Sequence, residues 1–148
     1  MSPMSLNEFA DRLDEIIPIL FREFSRRHIG DLCQGEITVQ QLLIIDTLCR
    51  EGEIKMSDLA RIMVVTTAAM TGIVGRLVRC GYVERIFDPN DRRIIKVRLT
   101  KKGADFSSAL NARRHKANIK IFEKISAKDR EDYLRISAQI KDILSHEE

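Results

Sequence analysis

TTAAMTGIVGRLVRCGYVERIFDPNDRRIIKVRLTKKG, Thr66 to Gly103, changes its hydrophobic period halfway along. Met70, Ile73, Val74, Leu77 and Val78 step by three and four, the spacing of one helical face. Thr66 and Thr67 precede them as hydroxyl caps, and Gly81 is placed as the residue just past a helix end. Tyr82 to Phe87 has the pattern of a strand, and Asp88-Pro89-Asn90-Asp91 is dense in turn formers. Ile95, Val97 and Leu99 then alternate with Lys96 and Arg98, the two-residue period of a half-buried strand. The stretch therefore predicts a helix from Thr66 to Cys80 followed by a β-hairpin.

Upstream, Ser57 is placed to cap a short helix with Met56, Leu59, Ala60 and Met63 as its apolar stripe. Thr38 with Gln41 spells a capping box for an earlier helix that carries Leu42, Leu43, Ile45 and Leu48 and stops near Gly52. Helix, short helix, turn, helix and hairpin, in residues 38–100, make a winged helix-turn-helix. Downstream, Thr100 caps a helix over 101–124, and Ser126 with Asp129 caps another over 127–146. At the other end, Leu6, Phe9, Leu13, Ile16, Ile17, Leu20, Phe21 and Phe24 predict a helix over 5–29. Pro18 lies inside it and predicts a kink or two shorter helices. The expected fold is mainly α with a small β-hairpin wing. It is one domain over 1–148, in which long dimerisation helices at 5–29 and 101–146 flank the winged unit.

Size and charge narrow the function. A chain of 148 residues, 44% apolar, can bury a core without metal or disulfide staples. No apolar run reaches the roughly 18 residues of a membrane helix. The N-terminus lacks the basic-then-apolar order of a secretory signal. Cys33, Cys49 and Cys80 are odd in number and widely spaced, as expected of reduced thiols in a cytoplasm. No Cys-x-x-Cys pair occurs and His28, His115 and His146 are far apart, so neither a metal nor a cofactor is expected. Residues 61–102 hold ten basic side chains against three acidic ones, a net of +7. That leaves −4 for the rest of a chain whose net charge is +3. A basic middle between acidic ends fits a polyanion partner.

The second helix of a helix-turn-helix enters the major groove of double-stranded DNA. Thr66, Thr67, Ala68, Ala69 and Thr71 would face the bases, with hydroxyls for edges or phosphates and small side chains for close approach. Arg76 lies further along the same helix. Arg92 and Arg93 sit at the hairpin tip, where an arginine can enter the minor groove. A free carboxylate there would repel phosphate, so Asp91 is expected to pair with a cation, Arg76 being a candidate, and to orient the wing.

Arg76-Leu77, Gly81-Tyr82-Val83, Asp91-x-Arg93 and Leu99-Thr100-x-x-Gly103 together resemble the MarR family of bacterial regulators. The resemblance covers nearly the whole chain. It implies a homodimer held by the first and last two helices, paired recognition helices on a pseudo-palindromic operator, and Arg93 in the minor groove. It implies a transcriptional regulator, a repressor by default, released by a small aromatic or lipophilic anion. Phe24, Arg27, His28, Met56 and Met63 are the residues such a ligand crevice would draw on. Gly72 and Gly75 depart from the family pattern, one replacing a residue often basic or polar, the other one commonly acidic. Some relatives sense oxidants through a cysteine near the start of the first helix. Here that position has none, Cys49 and Cys80 read as buried structural thiols, and loop-like Cys33 is the one to test. A winged-helix protein-interaction module without specific DNA binding and a thiol-based redox regulator stay open as alternatives. An enzyme is not expected, because no catalytic motif is present.

Overall fold

The computed structural model describes residues 4–29 and 37–146, with only the backbone described at 28 and 29. Its elements are α1 (Leu6–Ile29), α2 (Val39–Glu51), β1 (Ile54–Lys55), α3 (Met56–Ile62), α4 (Thr67–Arg79), β2 (Val83–Phe87), β3 (Ile95–Leu99), α5 (Lys101–Phe122) and α6 (Ala127–His146). It is mainly α with a small antiparallel sheet, as the periodicity predicts. Two compact units are divided between Asn111 and Ala112, inside α5.

In the first unit the caps set the helix starts. Thr38 and Gln41 satisfy each other's backbone amides in a complete capping box. Thr66 Oγ1 accepts from the Ala69 amide at 3.1 Å and Thr100 Oγ1 from the Gly103 amide at 3.1 Å. Ser57 is not a cap. Lys55 holds that position with no side-chain bond, because Ile54 and Lys55 form β1 and the helix starts directly after it. Pro18 neither ends nor divides α1, which is one helix of 24 residues.

The sheet order is β1-β3-β2, with Ile54 opposite Val97, and Val83 and Phe87 opposite Leu99 and Ile95. Its inner face joins α2, α3 and α4 around Ile44, Ile45, Leu48, Leu59, Met70, Val74, Leu77, Val83 and Val97. Leu42, Ile45 and Leu48 are buried as expected, but Ile44 is fully buried in place of Leu43, which is 53% exposed. Cys49 is exposed, not buried, on the outer side of α2, and Cys80 is half-buried at the end of α4. Cys33 lies outside the described residues.

Two backbone details fix the joints on either side of α4. Val64 has φ 54° at the residue just past α3. The Val64 amide donates to the Arg61 carbonyl and the Val65 amide to the Ala60 carbonyl, which is a Schellman ending with valine where glycine is usual. Gly81, φ 79°, ends α4 as expected. At Gly103 a Cβ would lie only 1.9 Å from the Tyr82 carbonyl oxygen, so only glycine lets α5 start against that turn.

The second unit is the end of α5 with α6. Ser126 caps α6, accepting from the Asp129 amide at 3.1 Å. Arg130 reaches back to the carbonyls of Phe122 and Ile125 at 3.0 and 2.7 Å, in the turn that follows α5. No residue of α6 is buried. Among the described residues no single helix is long and apolar enough to cross a membrane.

Candidate nucleic-acid interface

α4 shows the core Met70, Val74 and Leu77. By the helical period its opposite face is Ala68, Gly72, Gly75 and Arg79, with Thr71 on one flank and Ala69 and Arg76 on the other. Thr66, Thr67, Ala68, Ala69, Thr71 and Arg76 are all exposed, with Ala68 opposite the core and Thr71, Ala69 and Arg76 flanking that face. Thr66 uses an oxygen lone pair as the cap and keeps its hydroxyl proton for a further acceptor. Thr71 is bound differently. Its Oγ1 donates to the Thr67 carbonyl at 2.9 Å, which leaves its lone pairs and methyl facing outward.

The wing turn is built on Asp88, which the sequence marks only as one turn former among four. Its Oδ1 accepts from the Asn90 amide at 2.9 Å and the Asp91 amide at 3.3 Å, and its Oδ2 meets Lys96 Nζ at 3.4 Å. The Asn90 amide is the main cause that holds the Asp88 carboxyl below its usual pKa; the Asp91 amide and Lys96 act the same way, and desolvation acts against them. An aspartate opening Asp-Pro-Asn is an Asx-turn signal, and that cue was available in the sequence. Asp91 does not reach toward Arg76. Its Oδ1 accepts from the Arg93 amide at 3.0 Å and lies 3.9 Å from Arg93 Nε. The short reach of an aspartate favours the residue two places on over another element. Arg92 and Arg93 are both exposed at the tip, the Arg93 side chain at 95%.

The structure sorts the ten cations of the basic segment into two groups. Arg61 pairs with Asp58, Lys96 with Asp88, Lys101 with Asp105, and Arg98 with Glu84 and Glu53. Glu84 is the first cause of the raised Arg98 pKa. Lys102 Nζ donates to the Cys80 carbonyl and lies 4.5 Å from the Tyr82 ring centre. Lys96, Arg98 and Lys102 brace the sheet and the turn after α4, while Arg61 and Lys101 pair within their own helices. Arg76, Arg79, Arg85 and Arg92 have no ion pair among the described residues, and Arg93 only the long contact to Asp91. The uncompensated charge is thus on α4 and the hairpin. Arg79 and Arg85 were not singled out in the sequence because nothing in their spacing separates them from a solvated arginine.

The expected ligand residues fall on α1 and at α3. Met56 is core, at 7% exposure, and Met63 packs against that core. Phe24 is half-buried and Arg27 exposed on α1, and the His28 side chain lies outside the described residues. A cavity of about 620 Å³ lies elsewhere, between the end of α2, β1 and α3, with Thr47, Glu53, Asp58 and Lys96 in its wall. Among the described residues no group of three His, Cys, Asp or Glu side chains could hold a metal ion.

Known proteins match this chain in sequence and fold. The profile of the MarR family matches residues 37–95. The regulator FarR of Neisseria gonorrhoeae is 38% identical over 72 residues, 49% of each chain. The multiple antibiotic resistance protein MarR of Salmonella typhimurium is 30% identical over 101 residues, 64% of this chain and 70% of that protein. A mutant MarR of E. coli, solved with operator DNA, superposes with a TM-score of 0.72 at 22% identity, covering 92% of this chain and 98% of that one. The chain thus spans from about half to seven tenths of the curated relatives named here. The winged fold, the exposed first turn of α4 and the 30% identity to a MarR protein agree: the chain belongs to the MarR family, whose members are transcriptional regulators that bind DNA.

Proposed function

We propose that this chain binds double-stranded DNA sequence-specifically as a homodimer and represses transcription by occupying its operator. The observation that carries the proposal is the set of uncompensated arginines on α4 and the wing. α4 enters a major groove with Thr66, Thr67, Ala68, Ala69 and Thr71 near base edges, and Arg92 and Arg93 reach the adjacent minor groove. The amides of the first α4 turn add a positive helix end for a phosphate. A module that only bound protein would gain little from arginines left without acidic partners.

Apolar faces support the homodimer. α1 exposes Phe9, Ile16, Leu20 and Phe21, and α6 exposes Tyr133, Leu134, Ile140 and Leu144. A second copy is the simplest cover for rows this long, and two-fold symmetry matches a palindromic site. The test is duplex binding titrated against salt, with Arg93→Ala beside the wild type. Expected are affinity falling steeply with salt, about tenfold weaker operator binding in the variant, and an unchanged melting temperature. Binding indifferent to salt would contradict the reading, since phosphate contacts release counterions.

A further inference from the structure

Two guanidinium groups converge over Gly75 with no carboxylate to answer them. A Cβ at Gly75 would lie 3.4 Å from Arg85 Nη2 and 3.6 Å from Arg79 Nη1. Arg79 closes α4 and Arg85 is the middle residue of β2. Strand side chains alternate, so Arg85 shares the sheet face of buried Val83 and extends toward α4. There its Nη2 donates to the Thr71 carbonyl at 3.2 Å, which occupies one of five N–H groups and aims the rest. Glu84, the neighbouring acid, is on the other face and is bound to Arg98 at 2.6 Å. Arg79 and Arg85 are both exposed and neither has an ion pair among the described residues.

Two like charges held this close repel, and water and salt screen them in the free protein. A phosphate does more, because its oxygens accept the paired N–H groups of a guanidinium fork. Topology says which phosphate. With α4 in a major groove and the hairpin tip in the next minor groove, the segment between them crosses the sugar-phosphate strand that separates the two grooves. Arg79 and Arg85 stand on that segment.

We propose that Arg79 and Arg85 form a clamp for a backbone phosphate on the strand between the two grooves, with Gly75 keeping the space beneath them open. The clamp rests on the DNA-binding reading above and adds a contact that sets register without reading sequence. It also gives Gly75 a role, since a side chain there would fill the space where the two guanidiniums meet.

The test uses the full chain and two labelled duplexes, one carrying the selected operator and one scrambled, titrated at several salt concentrations. Arg85→Gln removes the charge and, being two bonds shorter, the bond to the Thr71 carbonyl; Arg79→Gln removes the second charge alone. Each is expected to reduce the slope of log affinity against log salt by about 0.9. Each should weaken both duplexes by the same factor and leave the melting temperature unchanged. Gly75→Glu leaves both arginines in place and inserts a carboxylate between them, and it should give the same loss should either glutamine variant fold poorly. Wild-type slopes in these variants, or a loss confined to the operator, would overturn the clamp. Failure of the wild type itself to bind any duplex in a salt-dependent way would overturn the DNA-binding reading, and the clamp with it.

Discussion

At Val64 a β-branched residue holds a left-handed backbone, φ 54°, with its side chain 90% exposed. That conformation costs roughly 1–2 kcal/mol for an L-residue, and the exposed side chain returns little by burial. Val64→Gly should therefore raise stability by about 1 kcal/mol, read as a higher melting temperature; a lower one would mean that the side chain makes contacts of value. Gly103 is the opposite case. Its missing Cβ is what admits the Tyr82 carbonyl, which also accepts from the Thr100 amide at 3.1 Å. Gly103→Ala forces α5 away from the turn and should cost about 3 kcal/mol in chemical denaturation. Neither residue could be placed from the sequence alone. A left-handed valine breaks the usual rule, and a glycine three residues into a helix looks like a weak helix former until its neighbour is known.

The wing turn is ordered by carboxylates, Asp88 on the Asn90 and Asp91 amides and Asp91 on the Arg93 amide. Asp88→Ala removes the acceptor for the Asn90 and Asp91 amides and should weaken duplex binding about fivefold, whereas Asp88→Asn keeps an oxygen there and should lose less. Because the folded carboxyl titrates below its ordinary value near 3.8, its contribution is complete above that pH and fades as pH falls through the lower folded value. Protection of the Asn90 and Asp91 amides, taken relative to the intrinsic exchange rate at each pH, should hold at pH 5 and fall only below that ordinary value. Elements with a strong period, α4, α5, α6 and the two hairpin strands, were legible in the sequence because each carries its own apolar face and its own cap. β1 was not, because two residues have no period; its pairing with Lys96 and Val97 is a tertiary fact that also displaced the expected cap at Ser57. In α2 only Leu43 was misplaced, Ile44 being buried instead, because Leu42, Leu43, Ile44 and Ile45 are all apolar and only packing chooses among them. In the site, exposure along α4 followed from the helical period. The partners of Asp91 and Arg85 did not, since they depend on how the hairpin sits against α4.

At the scale of the molecule, the exposed apolar rows of α1 and α6 and the arginine surface of α4 and the wing call for two different partners. On the proposed function a second copy would cover the first and DNA the second. Deleting residues 1–20 removes much of the α1 row and should leave a smaller, less soluble species in sedimentation; a soluble wild-type dimer would give α1 another role. Selection of bound duplexes from a random pool tests both partners at once. The expected product is an enriched pseudo-palindrome with half-sites about one helical turn apart, roughly 10 base pairs centre to centre. A pool that stays random, or an enriched single half-site without its inverted repeat, would contradict a dimer that reads DNA through paired recognition helices.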